Sequence, residues 1–166
     1  VLNDHGLRLD PKRWGRFWSS FVHLVRNAVD HGVEPEDQRL ESGKPAQGRL
    51  EIEASVSSSS FTVCIRDDGR GIDWDKVART ARERGVEIDQ PDGLCRALFA
   101  DGVSTAAEVS DISGRGVGMG AVLAATEQLG GHVEISSEIG RGTELRLVFP
   151  RSAMAPQLDV LLDQAA

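Results

Sequence analysis

Cysteine is scarce in this chain. Cys64 and Cys95 are the two among 166 residues, too few for a disulfide framework and at no metal-ligand spacing. Cys64 lies inside an apolar alternating run and reads as a small core residue. This usage fits a reducing cytosol and hence a cytoplasmic protein. Long apolar runs are missing too: none approaches the roughly 18 residues that span a bilayer, and no signal peptide is visible. Positive charge is in deficit, with 19 lysines and arginines against 26 acidic residues and a net charge of −7. That balance argues against nucleic acid or an anionic membrane as the main partner, so any anion site must be a local cluster of positive groups. The short apolar runs argue against direct membrane insertion. The first residue is Val1 and the last stretch is loosely patterned and alanine-rich. Both features predict a piece of a longer protein.

What is present suits one globular domain with a proper core. Residues 11–32, PKRWGRFWSSFVHLVRNAVDHG, open on Pro11, which a first helical turn tolerates, and close on Gly32, a C-terminal stop. Phe17, Phe21, Leu24, Val25, Ala28 and Val29 recur at spacings of three and four, predicting one buried helical face. LRL at 7–9 predicts an edge strand, and the Pro- and Gly-containing stretch 34–48 a loop with room for one helical turn. RLEIEASV and FTVCIRD read as strands joined by SSSS at 57–60. WDKVARTARERG and LCRALF read as short helices, and VGMGAVLAATEQLGG as a helix up to Gly130 and Gly131. HVEISSEIG and TELRLVF form a second strand pair across GRG, after which Pro150 breaks the pattern. The expected domain is therefore 1–150, with 151–166 as tail or linker. Helix, two strands, helices and two strands lack the strict alternation of a doubly wound sheet. The expected class is α+β, a two-layer α/β sandwich with a mixed, mainly antiparallel sheet and helices on one face.

Three constellations carry chemistry. His23, Asn27 and His31 fall at i, i+4 and i+8, stacking along one side of the first helix with Arg26 and Asp30 beside them. A carboxamide oxygen is a hard neutral ligand that suits Mg²⁺ shared with phosphates, and the imidazoles and Arg26 are in reach of a polyphosphate. Each histidine alone reads equally as a surface or core residue. The spacing also matches part of a zinc site, but its first carboxylate and third ligand are missing. DDGRGID at 67–73 follows an apolar strand directly, placing a carboxylate beside a close-approach backbone. A buried Asp67 could accept the adenine amino group; a plain tight turn is the alternative. A twelve-residue calcium loop fails, because its closing position is Ala78. DISGRGVGMGAV at 111–122 spends four glycines before an apolar helical pattern, as a backbone wrapping phosphate at a helix N-terminus requires. It lacks the Gly-Lys-Ser/Thr of a P-loop, and its loose dinucleotide fingerprint has no βαβ unit around it. GRGT at 140–143 reads alone as a hairpin turn, with Thr143 able to support the aspartate.

In order, HLVRNAVDHG, DDGRGID, LFADGVST, SGRGVGMG and GRGT resemble the N, G1, F, G2 and G3 boxes of the GHKL ATPases. The similarity is greatest to the ATP-binding domain of chemotaxis-type (CheA-like) histidine kinases, through the histidine of HLVRN, the loop HGVEPEDQRLESGKPAQG and the string VSDISGRGVGM. It covers about residues 12–150. The resemblance implies the Bergerat form of the sandwich and ATP with Mg²⁺ as ligands. It implies that Asn27 binds the Mg²⁺, that Asp67 accepts the adenine amino group, and that Gly69, Gly71 and Thr143 shape its surroundings. Gly114, Gly116 and Gly118, with Val117 and Met119, would line the triphosphate. His23 would be a base or orienting residue, and Arg26, His31, Lys76 and Arg115 phosphate contacts. Residues 75–113 would be a lid that orders over nucleotide.

The chain departs from the family pattern. Gly120, Ala121, Val122 and Leu123 stand where Asp-Val-Val-Lys is usual, Thr80 where a second basic residue is expected, and Asp101 and Val103 where proline and phenylalanine are common. Losing two charges beside a triphosphate weakens binding by a few kcal/mol, at roughly 1.5–3 each. The expected function is a histidine kinase catalytic domain in two-component signalling. It would transfer the γ-phosphate to a histidine on a separate phosphotransfer domain, with the response regulator and dimerisation helices also elsewhere. His5 and His132 lack the context of an acceptor. The alternatives are a nucleotide-binding pseudokinase, an ATP-driven clamp, whose general-base glutamate is here His23, and a serine-kinase anti-sigma factor of the same fold.

Overall fold

A computed structural model describes residues 9–90, 92–100 and 119–154. Asp10 stops the chain before the first helix: its backbone is extended and its carboxylate accepts the Lys12 N–H at 2.9 Å. Such a cap is worth about 1 kcal/mol. Helix α1 (Pro11–Asn27) then buries Trp14, Phe17, Phe21 and Leu24 along one stripe. The α-helix expected to reach Gly32 ends at Asn27, and Ala28–Gly32 form a wider π turn. At the end of that turn the Gly32 carbonyl accepts the Arg70 N–H at 2.9 Å. Helix α2 (Glu36–Glu41) is the single turn or so that the loop had room for.

Strands β1 (Leu50–Val56), β2 (Ser60–Asp67), β3 (His132–Glu138) and β4 (Gly142–Pro150) form one sheet in the order β1-β2-β4-β3. Every pairing among the described residues is antiparallel, in keeping with the mainly antiparallel sheet expected. The physical reason is that both strand pairs are hairpins, and β2 and β4 meet with their ends reversed. The LRL strand expected at 7–9 lies largely outside the described residues. Between the hairpins come α3 (Trp74–Glu83), α4 (Gly93–Phe99) and α5 (Met119–Gln128).

Alternation sorts the two faces of the sheet. On one face Phe61, Val63 and Ile65 of β2 pair with Phe149, Leu147 and Leu145 of β4, and all are buried in one core with α1, α3, α4 and α5. On the other, Thr62 and Cys64 are covered by a ladder of long charged side chains. Arg66 bridges Glu53 and Glu144, and Arg146 pairs with Glu134 at 3.5 Å. Burial pushes the Cys64 thiol up, keeping it neutral. Helices therefore pack on one face, as the patterning predicts.

The far end of the core is aromatic. Trp14 meets Phe149, Phe61 and Phe17 edge-on, with ring centroids 4.7, 5.4 and 5.4 Å away. Its indole N–H donates to the Ala153 carbonyl at 3.2 Å. That carbonyl belongs to a 3₁₀ turn, Arg151–Met154, whose Ala153 is buried. The packed body thus runs past Pro150 to Met154.

Candidate functional site

The sheet's register places three polar residues in a row on the helix-covered face. Asp67 pairs with Thr143, and Thr143 with Ser137. The next row inward is Ile65, Leu145 and Ile135. A cavity of about 140 Å³ opens between these rows and the end of α1. Leu24, Ile65, Leu145, Ile72, Leu98 and Met119 form apolar walls, and Asp67, Thr143, Asn27, His31 and Arg70 supply polar groups, with Ala28, Gly32 and Gly71 in the lining.

Asp67 is held from two sides. Its Oδ1 accepts the Gly69 N–H at 2.9 Å, and the Thr143 N–H also donates to the carboxylate. Burial nonetheless raises its pKa above the ordinary aspartate value, with Asp68 and Glu34 adding to the rise and the two N–H donors opposing it. Gly69 must be glycine: a methyl there would lie 2.1 Å from the Gly32 carbonyl oxygen. Gly71 has φ of +73° and a methyl would lie 2.2 Å from the Glu138 carbonyl oxygen, so close approach and backbone conformation both demand glycine. These two glycines let the Asp67 turn rest between the π turn and the β3–β4 hairpin.

The structure brings together Asn27, His31, Asp67, Gly71, Met119 and Thr143 around one cavity, with Gly69 bonded to Asp67. His23 is half-buried and Arg26 exposed on α1, and neither lines the cavity. Lys76 is exposed on α3, where its backbone N–H caps the helix through Asp73 at 2.9 Å. Gly114, Arg115, Gly116, Val117 and Gly118 lie outside the described residues, as does the whole stretch 101–113 of the expected lid.

Sequence reasoning missed several contributors. Ser137 Oγ accepts the Ile72 N–H at 2.8 Å and lies 2.9 Å from both the Gly142 carbonyl oxygen and Thr143 Oγ1. It welds the Asp67 turn to the hairpin and occupies the Thr143 hydroxyl, so Thr143 reaches Asp67 through its backbone. The hairpin register was the available signal, since Ser137 stands opposite Thr143. Arg70, within DDGRGID, and Leu98, at the head of LFADGVST, also join the lining, though neither was singled out within its motif. Beneath the turn, Arg39, Glu34, Lys44 and Asp68 form a cluster of ion pairs at 2.7–3.2 Å. Burial works to raise the Glu34 and Asp68 pKa values, but hydrogen bonds and the cations hold both below their ordinary range.

The fold and the pocket define a two-layer α/β sandwich with a carboxylate-floored cavity between the sheet and its first helix. The chain belongs to the histidine kinase-, DNA gyrase B- and HSP90-like ATPase family, whose model matches residues 19–153. It is 38% identical over 145 residues to the chemotaxis protein CheA of Salmonella typhimurium, covering 86% of this chain and 22% of that protein. It is 42% identical over 157 residues to CheA of Cereibacter sphaeroides (90% and 22%) and 39% over 158 to the gliding motility regulatory protein of Myxococcus xanthus (92% and 20%). The chain thus spans about a fifth of the length of these relatives. Among solved structures, the blue-light activated histidine kinase of Erythrobacter litoralis superposes with a TM-score of 0.52 at 21% identity, over 87% of this chain and 32% of that one. That likeness supports the fold. No helix among the described residues is long and apolar enough to cross a membrane.

Proposed function

We propose that the chain is the ATP–Mg²⁺-binding catalytic domain of a CheA-like sensor histidine kinase, donating the γ-phosphate of ATP to a histidine on a separate phosphotransfer domain. Asp67 carries this reading: it is the carboxylate in a largely apolar cavity, with one oxygen held by Gly69 and the group aimed inward. Apolar walls suit a flat purine ring, and a carboxylate is the acceptor its amino group needs. The donor chemistry fits Mg²⁺ as well, because the Asn27 carboxamide lines the same cavity and offers a hard oxygen. Bound ATP and Mg²⁺ supply the transferable phosphoryl group and its charge neutralisation. The chain's residues orient and neutralise: Asp67 holds the base, Asn27 the cation, and His31 the phosphate side. Arg26, Lys76 and Arg115 are further phosphate contacts, Gly114, Gly116 and Gly118 with Val117 and Met119 form the cradle, and His23 acts as base or orienter. The phosphoacceptor histidine, the dimerisation helices and the response regulator-coupling parts belong to the rest of a longer, cytoplasmic protein.

A second reading, a nucleotide-sensing module without phosphotransfer, is favoured by Leu123. It packs half-buried against the core where the family's lysine would stand. A clamp needs a glutamate where α1 has His23, and ranks below both.

The test is calorimetric titration with a non-hydrolysable ATP analogue, with and without Mg²⁺, on the chain and on Asp67→Asn. Mg²⁺-dependent binding is expected, weakened about 10- to 150-fold by the substitution, as for a lost hydrogen bond to a charged group. Absence of binding up to about millimolar analogue overturns the reading. Binding without transfer to an added phosphotransfer domain favours the sensing module.

A further inference from the structure

Lys44 and Arg39 lie on the segment between the π turn and β1, and neither lines the cavity. Both nevertheless reach the turn that follows Asp67. Lys44 Nζ donates to the Asp68 carbonyl at 2.9 Å, the Gly69 carbonyl at 2.7 Å and Glu34 Oε1 at 2.7 Å. Arg39, with 1% of its side chain exposed, donates to the same Asp68 carbonyl at 3.3 Å and to Asp68 Oδ2 at 2.8 Å. Its remaining hydrogen bonds go to Glu34 and to the Pro45 and Gln47 carbonyls, so the guanidinium is fully engaged. Asp68 Oδ1 accepts the Arg49 N–H at 2.8 Å.

One peptide unit connects this cluster to the pocket. The Asp68 carbonyl and the Gly69 N–H belong to the same planar amide. Its carbonyl end is gripped by two cations, and its N–H end donates to Asp67 Oδ1. Fixing one end of a rigid plane fixes where the other points. Cations on the carbonyl also polarise the amide, strengthening its N–H as a donor. We propose that Lys44 and Arg39 are positioning residues that set the site's preference for a 6-aminopurine, by holding from outside the pocket the amide that orients Asp67. This rests on the nucleotide-binding reading above.

A purely structural cluster would lower affinity for every nucleotide alike, so the decisive readout is a ratio. Kd is measured for a non-hydrolysable ATP analogue and for the corresponding purine-riboside triphosphate, which lacks the 6-amino group, on the chain, Lys44→Met and Asp68→Asn. The unsubstituted chain is expected to prefer the adenine nucleotide by about tenfold or more, and Lys44→Met to bring that preference close to unity. Weaker binding of both nucleotides with the preference intact overturns the proposal. Should Lys44→Met fail to fold, Asp68→Asn decides: it keeps the side-chain shape but removes the anionic partner of Arg39. A fall of about threefold in the ratio supports the proposal, and an unchanged ratio overturns it. An unsubstituted chain that binds neither nucleotide overturns the nucleotide-binding reading itself. One that binds both equally has no preference to set, and overturns both the base reading by Asp67 and the proposal.

Discussion

Strands β2 and β4 end in two different chemistries on the same face of the sheet. At one end Phe61 and Phe149 pair beneath Trp14, apolar and closed. At the other, Asp67 and Thr143 pair beside a cavity, polar and open. The aromatic end makes its contacts side chain to side chain and gains from burial and edge-to-face geometry. The polar end is held by hydrogen bonds of main-chain amides at Gly69, Thr143, Ile72 and Arg70, together with the Lys44, Arg39 and Ser137 side chains that brace the same turn. The contrast teaches that stability and binding are separated along one strand. Side-chain packing anchors the sheet at one end so that a partly desolvated carboxylate can be tolerated at the other.

Trp14→Ala is the sharpest way to break the first half of that contrast. It removes the centre of the aromatic cluster and should cost about 3–5 kcal/mol in urea unfolding. The adenine preference of the protein that remains folded should be unchanged, because none of the groups around Asp67 touch the indole.

Ser137→Ala probes the other end. It deprives the Ile72 N–H of its acceptor, for a loss of about 1 kcal/mol in the same unfolding measurement. It also frees the Thr143 hydroxyl, so nucleotide affinity should fall more than stability alone implies. Equal binding by this variant would show that the hairpin tie is not needed at the site.

Acidification should separate the two ends with the smallest effect. The Asp67 pKa is raised, so its carboxylate gains a proton at a higher pH than an ordinary aspartate of about 3.9. Nucleotide affinity should therefore weaken as pH falls through that raised value. For folding the sign is opposite. The penalty of the buried Asp67 charge is fully present above the raised value and disappears below the unfolded one. Glu34 and Asp68 are depressed: their stabilisation is present above their unfolded values and is lost only as pH falls through the lower folded ones. Titrations of binding and thermal unfolding from neutrality down to about pH 4 should show affinity failing first.

Much of this was legible in the chain. Period-3.6 spacing located α1, composition and punctuation located α3, α4, α5 and the four strands, and the order of elements predicted helices on one face of the sheet. DDGRGID placed Asp67 at a strand end beside glycine because only that composition allows so close an approach. Less could be read where contacts are distant in sequence. Nothing near Arg39 announces that it will lie against Asp68, 29 residues on. The π turn was hidden because α and π turns share the same residues, and the carbonyl at its end finds its partner at Arg70.

By itself the sequence determined the elements, the two faces of the sheet and the residue types available at its polar end, since these follow from local periodicity and from side-chain chemistry. The tertiary structure alone decided which of them converge. It turned the Gly32 carbonyl toward Arg70, set Ser137 against Thr143, and brought two cations under the Asp68–Gly69 amide. Those are matters of register and of packing between remote segments, where each hydrogen bond depends on positions that no local pattern specifies.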